Sequence, residues 1–187
     1  MPDNRTDMQP RLTALTSLLA YVGAALAALL SSGCVSPTNA VTVQAVAPFT
    51  DRVLYEADLR KLGNRVVLGD EAYAEVNSAW LKEWHGDFRA QIFRLGVVRW
   101  DQRYDCNRFA EVYTGLAQIA YFRVTFHRES PSKALAIGPF WYVTQQGRSH
   151  AIVQAMTERG RIFIDPQSGR EVHLTGSEQR SAFLQVF

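Results

Sequence analysis

An α+β domain, with helices first and a meandering antiparallel sheet after them, is the fold class this 187-residue sequence predicts. Two observations point to it. Apolar residues recur at helical spacing between Asp70 and Ala120, and the residue types then change to β-branched and aromatic runs broken by turn residues. A third sets the extent of the folded unit. No charge occurs from Val35 to Thr50, where Pro37 and Pro48 sit among Thr, Ala and Asn, so 34–50 reads as a linker and 51–187 as one compact domain with a sizeable core.

The first helix is predicted over 70–95. Asp70 stands at its start as a cap, Ala72, Val76, Trp80, Trp84 and Phe88 follow at four-residue intervals, and Gly96 stops it. Val97-Val98-Arg99-Trp100 is a short extended lead-in to a second helix over 106–120. There Phe109, Val112, Tyr113, Leu116 and Ile119 share a face, with Asp105 or Tyr104 at the cap. Strands are predicted over 121–126, 135–143, 151–153 and 161–164, with turns at Ser130-Pro131-Ser132, Gln146-Gly147 and Arg159-Gly160. A hairpin with its loop at Thr157 to Gly160 would bring His150, at the start of one strand, near Asp165, at the end of the next.

Ahead of the linker, Arg11 precedes an apolar run from Leu12 to Leu30 that ends in Leu29-Leu30-Ser31-Ser32-Gly33-Cys34. The run has the length of a signal-peptide core or of a membrane anchor. Its end resembles the lipobox of bacterial lipoproteins, with Ser31 where that pattern carries an aliphatic residue. The resemblance implies a signal peptide over 1–33, lipid on Cys34, tethering to the membrane through that lipid and, with Val35 following, an outer-membrane lipoprotein facing the periplasm. A formal net charge of +2, from 20 basic and 18 acidic residues, provides no basic stripe and argues against a nucleic-acid partner.

Cys34 and Cys106 are the chain's two cysteines. With Cys34 lipidated, Cys106 is the one thiol of an exported protein, and an unpaired thiol there needs a reason. The alternatives are a Cys34–Cys106 disulfide or a buried, inert Cys106. The reason offered by the sequence lies in three segments, Tyr104-Asp105-Cys106-Asn107-Arg108-Phe109-Ala110, Arg148-Ser149-His150-Ala151 and Phe163-Ile164-Asp165-Pro166-Gln167. They supply in order a thiol, an imidazole and a carboxylate, the residue types of an activated cysteine nucleophile. A helix N-terminus would stabilise a thiolate at Cys106, and its N–H groups would serve an oxyanion, although Asp105 opposes this with a neighbouring negative charge.

These segments resemble the papain-like and transglutaminase-like cysteine hydrolase superfamily, most nearly the protease-like domain of a fungal agglutinin, over roughly Trp100 to Gly169. The resemblance implies a nucleophile, Cys106, at a helix N-terminus packed on an antiparallel sheet, with His150 as general base and acid and Asp165 as the orienting group. Gln102 and Gln167 stand as candidate oxyanion or substrate groups. No cofactor is expected. A metal at Cys106, His150 and Asp165 lacks a fourth ligand and any paired-cysteine spacing, and His85, His127 and His173 have no evident partners. Trp80 and Trp84 read as core, while Trp100 and Trp141 have a claim on the cleft.

The expected function is therefore a membrane-anchored thiol hydrolase or acyltransferase acting on an amide bond of a peptide or cell-wall peptide. The alternatives are a non-catalytic envelope lipoprotein serving as scaffold or binding module on the same fold, and a phage-encoded lysis or exclusion lipoprotein.

Overall fold

A computed structural model describes residues 46–63, 65–97, 99 and 101–187. The apolar run, Cys34, most of the linker reading and Trp100 lie outside the described residues. Among the described residues no helix is long and apolar enough to cross a membrane.

Strand β1 (Phe49–Tyr55) opens the fold, followed by a single helical turn α1 (Glu56–Leu59) and the short strands β2 (Val66–Val67) and β3 (Ala72–Val76). Helices α2 (Ser78–Arg94) and α3 (Cys106–Thr125) come next. Then follow β4 (Ala134–Leu135), β5 (Ile137–Val143), β6 (Ser149–Thr157), β7 (Gly160–Ile164), the short helix α4 (Gly176–Arg180) and β8 (Leu184–Val186).

The eight strands form one sheet in the order β1-β3-β6-β5-β8-β2, with β4 paired to β3 and β7 to β6. β3–β6, β3–β4 and β2–β8 are parallel, whereas the β1–β3, β5–β6, β6–β7 and β5–β8 pairs are antiparallel.

The expected papain-like, helices-first α+β fold with a purely antiparallel sheet is thus corrected. Three strands precede the long helices, and the sheet is mixed. The difference has a physical cause. Every residue of β3 from Ala72 to Val76 is buried, so the strand shows no polar–apolar alternation, and its Ala72 and Val76 fall by chance on the four-residue spacing of the following helix. That helix starts instead at Ser78, where the Asn77 side chain accepts hydrogen bonds from the N–H groups of Ala79 and Trp80.

Helix α3 outruns its expected end at Ala120, and the strand expected over 121–126 does not form. Tyr121 is buried on the helix's inner face, its hydroxyl donating to the Ser132 carbonyl at 2.9 Å, and the Thr125 hydroxyl bonds back to the Tyr121 carbonyl. β1 starts at Phe49, two positions ahead of the boundary at 51.

α2 and α3 cover one face of the sheet. Trp80, Trp84, Phe88, Phe109, Tyr113 and Ala117 of the helices pack against Val76, Ile137, Ala151, Val153, Ala155 and Ile164 of the strands. The other face buries Phe140, Tyr142, Ile152 and Phe163 under Ala182. A third cluster joins Leu54, Leu59, Val66, Tyr73, Ala136 and Phe187, where β1 to β3 meet the C-terminal residue. Burying each large side chain contributes roughly 1.5–3 kcal/mol. One charged group is also taken in: Glu75 of β3 is 3% exposed and is held by Arg52 at 3.0 Å and the Thr50 hydroxyl at 2.9 Å, both from neighbouring β1.

Candidate functional site

Cys106 is the first residue of α3. Asp105 caps the helix, its side chain accepting from the N–H groups of Asn107 at 3.1 Å and Arg108 at 3.4 Å. The cap takes up two of the N–H groups left open at the helix start, those of Asn107 and Arg108. Cys106 is half-buried and reduced, and its side chain packs at the edge of the helix-side core. Beside it, the Asn107 Oδ1 accepts from the indole N–H of Trp141 at 2.9 Å, tying the start of α3 to β5.

β5 and β6 set the rest of the site by register. Trp141 lies opposite Ala151, and Tyr142 opposite His150. Successive residues of a strand face opposite sides of the sheet. Ala151 packs under the helices, so His150 belongs with Tyr142 on the far side, where their rings meet edge to face at 5.8 Å. In the β6–β7 hairpin Val153 opposes Ile164, which sets Asp165 just beyond the strand, diagonally from His150.

The hairpin expected between His150 and Asp165 therefore forms, yet among the described residues no hydrogen bond joins Cys106 to His150 or His150 to Asp165. The Asp165 carboxylate has other partners. One oxygen accepts from the Gln167 N–H at 2.9 Å and the other from the Ser168 hydroxyl at 2.7 Å, and the Asp165 carbonyl accepts from the Gly169 N–H. Together these close an Asp-Pro-Gln-Ser-Gly turn. Gly169 needs its positive φ of 72° there, and it lies so close to the His85 ring that a side chain would not fit.

Of the other candidates, Gln102 is exposed in the turn between Asp101 and Tyr104, and Gln167 enters the Asp165 turn through its backbone. Among the described residues no group of three or more His, Cys, Asp or Glu is placed to hold a metal ion. The structure adds Asn107 and Tyr142 to the site. Asn107 lay inside the cysteine segment, but only the fold shows that it meets Trp141.

Two histidines flank this region, and burial holds both below their ordinary value of 6.5. Arg89 pushes His85 further down and Arg148 does the same to His150, while the Asp165 charge opposes the shift in each. Because the unfolded chain takes up these protons first, the pair's contribution to stability is complete above the ordinary value. It is lost as the pH falls through about 6.5 towards the depressed folded values. Thermal unfolding followed from pH 7.5 to 5 should show Tm falling across this window, with a shallower fall in a His85→Gln/His150→Gln variant. An equal slope in the two proteins would refute the assignment.

No family model matches the chain, and no curated protein matches it. Solved structures do. One is a PSL1a–E64 complex, with a TM-score of 0.52 and 17% identity, covering 72% of this chain and 50% of that one. Another is Polyporus squamosus lectin bound to the human-type influenza-binding epitope Neu5Aca2-6Galb1-4GlcNAc, with a TM-score of 0.51 and 15% identity, covering 72% of this chain and 49% of that one. The chain thus spans about half the length of these proteins, and at such identities the likeness is one of fold.

These neighbours correct the family reading. A likeness in fold to a fungal lectin stands, whereas nothing in the comparisons places a transglutaminase-like or papain-like protease domain on this chain. The thiol hydrolase or acyltransferase function and the peptide or cell-wall peptide partner fall with it. The lipoprotein, signal-peptide and lipid-anchor readings are likewise without support in the comparisons, and Cys34 lies outside the described residues.

Proposed function

We propose that the domain is a non-catalytic binding module with a carbohydrate as its ligand, and that the binding surface lies where the start of α3 meets β5 and β6. The observation that carries this reading is the hydrogen bonding of the polar residues there. Asp165 closes its own turn and His150 sits against Tyr142, so neither is linked in the relay that a working thiol requires. The fold likeness to a sugar-binding lectin supports it independently.

The surface has the chemistry a sugar needs. Trp141 is half-buried and fixed through its indole N–H, which gives a rigid apolar plane for the C–H face of a pyranose. Asn107, hydrogen-bonded to the indole beside it, offers its amide to hydroxyl groups. Cys106 is part of the wall, and its thiol has no chemical role in this reading. An exported location, where extracellular glycans are found, belongs to the same proposal.

The test is binding of the full chain to an array of immobilised glycans, with Cys106→Ala alongside. The expected result is a defined set of bound glycans that the Cys106 variant binds equally well. No glycan bound by either protein would overturn the carbohydrate assignment.

A further inference from the structure

A cleft lies on the opposite face of the sheet from α2 and α3. It has a volume of about 650 Å³ and opens between α4, β8 and the residues Leu62, Gly63 and Arg65. Three arginines line it, Arg65, Arg161 and Arg180, and no acidic residue does. Among the described residues none of the three forms an ion pair.

Arg161 is the centre of the arrangement. Its guanidinium is half-buried and lies over the Phe163 ring at 4.8 Å and the Phe140 ring at 5.7 Å. Two neutral amides orient it. One terminal nitrogen donates to the Gln185 Oε1 at 3.2 Å and the other to the Gln179 Oε1 at 2.9 Å. Gln185 is itself 3% exposed, and its backbone is fixed in β8 between β5 and β2. A guanidinium carries five N–H donors in a rigid fork, so this holding leaves donors over for a further acceptor.

A buried cation ordinarily acquires a carboxylate, because removing its charge from water is costly. Here the fold instead holds the cation with amides and stacks it on aromatic rings, and burial pushes the Arg161 guanidinium down from its ordinary value. Close by, Gln154 of β6 is fully buried opposite Phe163, and neither atom of its amide has a hydrogen-bond partner among the described residues.

We propose that this cleft binds an oxyanion, a phosphate or carboxylate group of a small molecule, with Arg161 as the bidentate anchor and Arg65 and Arg180 closing on it from the rim. Planar recognition of this kind is the strong form of charge-assisted hydrogen bonding. The proposal stands apart from the carbohydrate reading, since it concerns another face and other residues.

The test uses the full chain, titrated with inorganic phosphate and separately with citrate at constant ionic strength, and followed by calorimetry. The expected result is saturable binding of at least one of the two. Arg161→Gln and, independently, the rim pair Arg65→Ala/Arg180→Ala should each weaken it about 10-fold or more. The anion that saturates distinguishes a phosphate ligand from a carboxylate one. The rim variant alters only exposed side chains, so it decides the matter even if Arg161→Gln fails to fold. Absence of saturable binding by both anions overturns the proposal, as does saturable binding that the rim pair leaves unchanged.

Discussion

Gly138→Ala is expected to destabilise the fold severely. Gly138 lies in β5 where the end of β8 crosses it, and a Cβ there would fall inside the Val186 carbonyl and within 3.3 Å of the Phe187 Cα. The obstacle is backbone, which cannot rotate away as a side chain does. Ordinary overpacking costs about 1–3 kcal/mol. Here β8 must leave its place, and with it go the Phe187 carbonyl's bonds from the Tyr73 hydroxyl at 3.2 Å and the Gly69 N–H at 3.3 Å. A loss of about 3 kcal/mol or more, or failure to fold, is therefore the expected outcome of denaturant unfolding. Gly86→Ala in α2 and Gly115→Ala in α3 supply the contrast. Nothing lies within 4 Å of a Cβ at either position, and each helix should gain about 0.5–1 kcal/mol. Equal effects at the three glycines would show that β8 does not lie where the structure has it.

Trp141→Ala should have the largest effect on ligand binding. Aromatic anchors in partly buried positions account for about 2 kcal/mol or more of binding energy, which corresponds to roughly 30-fold in affinity. The indole also holds Asn107 in place, so the alanine variant loses the stacking plane and frees the amide together. Trp141→Phe keeps a plane without the hydrogen bond and should fall between the two. Titration of wild type and both variants with the best glycan from the array measures the series. Equal affinity in all three would move the binding surface elsewhere.

Some of the fold was legible in the sequence because its signals were local. Asp105 before Cys106, and the four-residue recurrence of Trp80, Trp84 and Phe88, mark helix starts and faces that the structure contains. Gly147 and Gly160, with φ of 73° and 96°, mark the turns on either side of β6. What could not be read depended on partners distant in sequence. β3 is buried on both faces by elements before and after it, so it carries no alternation to betray a strand. The continuation of α3 to Thr125 depends on Tyr121 reaching Ser132, a contact that no periodicity contains.

The site divides in the same way. The thiol, the imidazole and the carboxylate were visible as residue types, and the hairpin that brings His150 towards Asp165 could be inferred from spacing. The direction of each side chain could not. Asp165 opens Asp-Pro-Gln-Ser-Gly, a sequence rich in turn formers, and the structure uses its carboxylate to close that turn. Strand parity then puts His150 beside Tyr142. The arginine cleft gave no sequence signal, because Arg65, Arg161 and Arg180 are scattered along the chain and only β8 and α4 draw them together.

The central claim, that Cys106 belongs to the wall of a binding module and performs no chemistry, is tested most directly by its reactivity. Wild type and His150→Ala are incubated at neutral pH with E64, the compound named in one of the matched structures, and separately with iodoacetamide, and adducts on Cys106 are followed by intact-mass spectrometry. No E64 adduct, and the same slow alkylation in both proteins, is the expected result. Rapid, stoichiometric E64 labelling of Cys106 that disappears in His150→Ala would contradict it, and would mean that the thiol and the imidazole act as a pair.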